Sequence, residues 1–186
     1  MTRIVAISGS RRAASTTRAA LRVALDAAGD AGAETDMIDL SAVDLPLYHP
    51  DEDAQGDSEG LKRRVREADG VLAGTPVYRG SYSSTFKNFH DFCGSDEYAD
   101  TAVGLLATAG GGSYGGTLEH LRSTFRNVHA WTVPHEVGIE RASKVVETGG
   151  STADHAGAPR ITDDDLRRRT ERLGRVVVEH ADRLRE

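Results

Sequence analysis

Arg3-Ile4-Val5-Ala6-Ile7-Ser8, running into Gly9-Ser10-Arg11-Arg12-Ala13-Ala14-Ser15-Thr16-Thr17, is the stretch on which the fold turns. A short β-rich apolar run stops at a glycine and a polar loop follows. Ser15 to Ala28 then places Ala20, Leu21, Ala24, Leu25 and Ala28 at helical spacing. Ser15 or Thr16 suits the helix cap, and Gly29 or Gly32 suits its end. A strand that passes through a glycine turn into a helix is the opening of a parallel βαβ unit. Met1-Thr2-Arg3 reads as the lead into that strand and not as a secretory signal, because the apolar part is too short and the glycine loop follows at once.

The alternation continues along the chain. Further strands are predicted at Ala33–Leu40, Gly70–Thr75 (closed by Pro76), Ala102–Ala109 and Val128–Val133. Helices are predicted at Ser58–Ala68, Tyr82–Cys93 and Gly115–Asn127. A last helix is capped by Thr162 with Asp165 and carries Leu166, Leu173, Val176, Val177 and Leu184 on its apolar stripe. Ser41–Asp57, with Pro46 and Pro50, is a long polar connection of the kind that is often functional. Residues 146–160, rich in Gly, Ser, Thr and Ala, predict a mobile surface loop. The expectation is one domain over residues 1–186: α/β, a doubly wound five-stranded parallel sheet of order 2-1-3-4-5 with helices on both faces. Such sheets bind ligands where the strand order reverses, outside the carboxyl ends of the strands. That selects the loops after strands one, three and four.

Composition excludes some functions. The 186 residues carry a net charge of −6 and no basic patch, so nucleic acid is not expected. The apolar runs Ile4–Ile7 and Val176–Val178 fall far short of the ~20 residues of a spanning helix, so no membrane insertion is expected. The single cysteine, Cys93, forbids an internal disulfide and fits a reducing cytoplasm. Lys62, Lys87 and Lys144 are the only lysines beside 20 arginines, and 17 Asp stand beside 12 Glu. That bias fits a salt-adapted proteome or plain codon bias; activity without added salt would count against the first.

Three loops carry the chemistry. In the first, Gly9 allows close approach, the helix start offers free N–H groups, Ser10, Ser15 and Thr17 add hydroxyls, and an arginine adds a charged fork. These describe a phosphate site; the plain alternative is a serine-rich cap with two solvated arginines. No Gly-Lys-[Ser/Thr] follows, and the second and third glycines of the dinucleotide fingerprint are missing. The second loop, Thr75-Pro76-Val77-Tyr78-Arg79-Gly80-Ser81-Tyr82-Ser83-Ser84, offers backbone groups that can read the edge of a flat heterocycle, though Tyr78 and Tyr82 taken singly suit ordinary packing. The third, Ala109-Gly110-Gly111-Gly112-Ser113-Tyr114-Gly115-Gly116, spends five glycines in seven positions directly after an apolar strand, which marks close backbone contact with something.

Together these residues resemble the NAD(P)H-dependent FMN reductase family of the flavodoxin-like superfamily. The likeness spans roughly residues 3–135 and extends to the last helix. It rests on Gly9, Ser10, Arg12 and Ser15 of a Gly-Ser-x-Arg-x-x-Ser motif, and on Thr75, Pro76, Tyr78 and Ser81 ahead of Lys87, Asn88 and Asp91, with Gly110 to Gly116 after strand four. Each motif is weak alone; three in order at the correct strand ends are fairly specific. The resemblance implies that Ser10, Arg12, Ser15 and Thr17 hold the FMN phosphate. Pro76, Val77, Tyr78, Arg79 and Gly80 would line the isoalloxazine, and Gly110, Gly111 and Gly112, with Ser113 and Tyr114, would pass along its other side. It implies hydride passing from NAD(P)H through FMN to a small acceptor: free flavin, a quinone, an azo compound or a metal oxyanion. No catalytic side chain is required. It implies Lys87 and Asp91 as ties from their helix to neighbouring loops, and a homodimer or dimer of dimers with Phe89 and Phe92 as contacts.

The sequence departs from the family's usual pattern at Ser84 and Phe86, and Arg79 stands where Asn or His is frequent. These departures touch substrate choice more than cofactor identity. His120, His129 and His135 are scattered, so structural or surface roles and no metal site are expected. Cys93 is read as a core thiol and Trp131 as core or interface packing. The rival readings are a quinone or azo reductase of the same fold, a flavodoxin-type one-electron carrier, against which Arg12 weighs, and a flavin-free regulatory protein.

Overall fold

The computed structural model describes residues 1–149 and 157–186. In chain order the elements are β1 (Arg3–Ser8), α1 (Thr16–Asp30), β2 (Glu34–Asp39), α2 (Ser58–Arg66), β3 (Gly70–Pro76), α3 (Ser84–Phe92) and α4 (Ser95–Tyr98). Then follow β4 (Ala102–Thr108), α5 (Gly115–Asn127), β5 (Trp131–Ile139), α6 (Ala142–Val145), β6 (Val146–Glu147), β7 (Arg160–Ile161) and α7 (Asp164–Leu184). The main sheet has five parallel strands in the order β2-β1-β3-β4-β5, the predicted doubly wound topology.

Strand periodicity sorts the core into two layers. Ile4, Ala6, Leu72 and Leu106 face Leu21 and Leu25 of α1 and Leu173 and Val177 of α7. Val5, Ile7, Val71 and Leu105 face Leu61, Phe86, Phe89, Leu121 and Phe125 on the opposite helices. Where α7 crosses α1, a Cβ on Gly174 would lie 1.9 Å from the Ala24 carbonyl oxygen, so glycine sets how closely the two helices approach. No described helix is long and apolar enough to cross a membrane.

Several expectations are corrected. The fifth strand does not occupy Val128–Val133 but Trp131–Ile139. Val128 caps α5 and His129 turns the chain at φ +64°, so pairing begins later. Opposite Val103 and Leu105 stand Thr132 and Glu136; the chain bulges there, and Pro134, with no N–H to offer, sits inside the bulge. The 146–160 segment is not a simple loop, because Val146–Glu147 pairs antiparallel with Arg160–Ile161; the rest of that prediction, at 150–156, lies outside the described residues. The cap of α7 is Asp163, whose carboxylate accepts from Leu166 N, while Thr162 donates to the Val145 carbonyl. Leu184 stays exposed.

Side-chain expectations shift too. Trp131 is 60% exposed and outside the core, with its indole N–H donating to Asp100. Phe89 is fully buried and Phe92 lies edge-on under Tyr48, so neither is open to a second subunit. Lys87 and Asp91 pair with each other along α3 and tie nothing to a loop. That tie is made by Asn88, which accepts from Tyr48 N and donates to the Pro46 carbonyl.

Candidate functional site

The reversal of strand order lies between β1 and β3. Beside it a cleft of about 260 Å³ is lined by Ser10, Arg12, Ala14, Thr16, Thr17, Pro76, Val77, Tyr78, Thr108, Ala109, Gly110, Ala142 and Ser143. All three loops chosen from the sequence therefore reach one place, and the start of α6 joins them.

The β1–α1 loop is held from several sides. Gly9 N donates to the Gly74 carbonyl at 2.8 Å, and the Ser83 hydroxyl donates to the Gly9 carbonyl at 2.6 Å. Ser15 caps α1 through Arg18 N, and the Arg18 guanidinium donates to the Ala13 carbonyl and pairs with Asp39 at 3.0 Å. Among the described residues, the backbone N–H groups of Arg11, Ala13, Ala14 and Thr16 find no acceptor, and the first turn of α1 holds no acidic residue. A helix start so arranged attracts an anion. Ser10 is 2% exposed, and Arg12 has no carboxylate partner among the described residues.

Thr17 faces the cleft, but its hydroxyl shares a 2.6 Å hydrogen bond with the Thr108 hydroxyl at the end of β4. It thereby couples the β1–α1 loop to the glycine-rich loop, a link not visible in the sequence.

The second loop is built as a tight reverse turn. Tyr78 N donates to the Ser81 carbonyl at 2.9 Å and Ser81 N to the Tyr78 carbonyl at 3.1 Å. Arg79 and Gly80 between them have φ of +52° and +80°, the signature of a hairpin turn that favours Asn-Gly. Ser81 Oγ lies 3.0 Å from His120 Nδ1, which braces the turn against α5. Ser83 N donates to the Thr75 hydroxyl at 2.9 Å, and Val77 N to the Thr108 carbonyl at 2.8 Å. Tyr78 is 49% exposed beside the cleft.

In the third loop Gly110 lines the cleft, and a Cβ built there would meet nothing within 4 Å. Gly111 and Gly112 are exposed and lie outside the lining; Gly111 accepts from Arg141 N. Tyr114 is turned away, its ring lying over Gly138, where a Cβ would stand 2.0 Å from it. Sequence reasoning did not select Ala14, Thr16, Thr108, Ala109, Ala142 and Ser143, while Ser15, Arg79 and Gly80, which it did select, lie outside the lining. Thr108 and Ala109 were legible as the end of a buried strand, whereas Ala142 and Ser143 enter by a turn whose position followed from the misplaced fifth strand.

The remaining reactive groups sit elsewhere. Burial pushes the Cys93 thiol up to about 12. Desolvation lowers the pKa of His90, which packs among Phe86, Tyr98 and Phe125. Among the described residues no group of three or more His, Cys, Asp or Glu is placed to hold a metal ion.

These features fit FMN. The free amides and Arg12 suit a phosphate, and the shallow space between Tyr78 and Gly110 suits the edge of a flat ring. A sequence model of the family described as NADPH-dependent FMN reductase matches residues 2–144. The chain is 33% identical over 142 residues to the NADPH azoreductase of Bacillus sp. (strain OY1-2), covering 74% of this chain and 76% of that one. It is 31% identical over 137 residues to an NADPH:quinone oxidoreductase of Arabidopsis thaliana, covering 68% and 69%. Among solved structures, an NADH:FMN oxidoreductase superposes with a TM-score of 0.74 at 22% identity, covering 96% of this chain and 89% of that one. An archaeal flavodoxin superposes at 0.69 and 10% identity, covering 97% and 99%.

Proposed function

The chain belongs to the NADPH-dependent FMN reductase family, and from that premise we propose which residues hold its FMN and what receives the electrons. It is an NAD(P)H-dependent flavin oxidoreductase. When bound, FMN supplies the hydride chemistry; the residues of the chain place it and shape what can approach.

In this reading the α1 start, Ser10, Arg12 and Ser15 grip the phosphate, with Thr17 contributing through its shared hydrogen bond to Thr108. The backbone from Pro76 to Gly80 borders the isoalloxazine on one side and Gly110 to Gly112 on the other. The acceptor is a small aromatic or quinonoid molecule, in line with the azo and quinone reductase relatives. Residues 1–186 act as one domain in a cytoplasmic homodimer. Phe89 and Phe92 are closed to the second subunit, which leaves Leu47, Tyr48 and Trp131 as exposed apolar contacts.

The observation that carries the reading is the set of amides at the start of α1 left unpaired among the described residues, next to an arginine with no carboxylate partner among them. Fluorescence titration tests it with FMN and riboflavin, which differ only in the phosphate. Arg12→Ala should weaken FMN on the order of tenfold, the worth of one charge-assisted hydrogen bond, and leave riboflavin unchanged. Equal affinity of the parent protein for FMN and riboflavin would remove the phosphate site. Steady-state rates with free FMN, a benzoquinone and an azo dye then rank the acceptors.

A further inference from the structure

Among the described residues, four other than glycine hold a left-handed backbone: Arg79, Asp100, His129 and Arg141. Asp100 and His129 account for each other at the far end of the sheet, where Asp100 N donates to the His129 carbonyl. The other two are arginines whose immediate neighbours line the cleft, although neither is itself a lining residue. Arg79 follows the lining residue Tyr78, and Arg141 precedes the lining residue Ala142. One sits at the tip of the turn braced by His120, the other on the turn into α6, where its N–H donates to the Gly111 carbonyl.

Both side chains are exposed, and neither has a carboxylate partner among the described residues. This is unlike Arg64 and Arg160, whose guanidinium groups are forked onto Asp36 and Glu147. The adjacent acid, Glu140, has its carboxylate near Gly112 and pairs with neither arginine. Strained backbone tends to persist where function holds it in place. The protein also carries a net charge of −6, which repels the anions its reaction needs.

We infer that Arg79 and Arg141 form a two-sided cationic clamp at the cleft mouth, gripping an anionic group on the redox partner that enters over the flavin. The inference rests on the flavin-reductase reading for the identity of that partner. A phosphate of the nicotinamide dinucleotide and a sulfonate or carboxylate of an acceptor share the required chemistry. Fixed turns at both positions hold the two backbones in place, and the exposed side chains become ordered when the anion binds. The clamp is separate from Arg12, an exposed lining residue on the β1–α1 loop that the proposed function assigns to the FMN phosphate.

The test uses the FMN-loaded protein with Arg79→Gln, Arg141→Gln and the double variant, beside Arg79→Lys and Arg141→Lys. Calorimetry gives the Kd for NADP+, and steady-state assays give KM for a sulfonated quinone and an uncharged benzoquinone. The double Gln variant should raise the NADP+ Kd, the sulfonated-quinone KM, or both, on the order of tenfold. The Lys variants should retain most of the affinity, and Arg141→Gln alone, which lies outside the proposed flavin contacts, should leave the benzoquinone KM unchanged. Whichever anionic ligand responds is the source of the anion.

The parent alone gives a second check, because its affinity for that ligand must fall as salt rises. Gln variants that leave both anionic ligands within roughly twofold of the parent overturn the clamp. Lys variants that lose as much as Gln variants overturn it as well, since shape rather than charge would then be responsible. If neither NADPH nor NADH reduces the parent's flavin, the reductase reading fails, while the NADP+ calorimetry still judges the clamp.

Discussion

Arg79 holds a conformation that asparagine adopts at lower cost, directly before a glycine that completes the turn. Arg79→Asn should therefore stabilise the flavin-free protein by about 0.5–1 kcal/mol, seen as a Tm rise of roughly 1–4 °C by calorimetry. A Tm at or below the parent's would show that the arginine side chain contributes more than its backbone costs. Legibility at this scale was uneven. Ser10, Arg12 and Ser15 could be named because a helix start needs caps and leaves amides free, and that logic is local. The Thr17–Thr108 hydrogen bond spans 91 residues and has no local signal. Lys87 and Asp91 misled because i,i+4 charges satisfy each other, while the neutral Asn88 between them makes the tertiary contact.

Elements join through a few directed contacts. Arg64 of α2 reaches Asp36 of β2 with two hydrogen bonds of 2.8 Å, and that guanidinium holds the Asp36 carboxyl below its usual range. A folded-state pKa below the unfolded value of about 3.9 means the pair stabilises above that pH, and the contribution disappears as pH falls through the folded value. Asp36→Asn should thus be destabilised relative to the parent at pH 7 and approach it only as pH falls below the ordinary aspartate range, in urea unfolding. A gap that stays constant with pH would show that ionisation of Asp36 contributes nothing. The strand and helix alternation was readable because each element carries its own period, while the fifth strand was misplaced by competing local rules. Val128 to Val133 has the β-branched residues of a strand, yet the helix end and His129 delay it, and the bulge admits a proline that sequence rules treat as a stop.

For the whole molecule, handedness and alternation made a doubly wound parallel sheet legible, and the predicted order 2-1-3-4-5 located the cleft before any side chain was considered. Which face of the mouth the α6 turn would cover did not follow, because it depends on where β5 ends. In an acidic protein that binds anionic ligands, cations bordering the cleft focus a local attractive field against the net charge. FMN present at 100 times its dissociation constant should raise stability by about 2.7 kcal/mol, and riboflavin at the same concentration by less, in thermal melts. Equal shifts from the two would place the binding energy in the ring and not the phosphate.

The Ser83 hydroxyl on the Gly9 carbonyl deserves one last consequence. In the proposed binding mode it rivets the segment that would meet the tail of the ligand to the segment that would meet its head. Strain at one end is shared with the other, so the receptacle keeps a single shape and the newcomer does the adjusting.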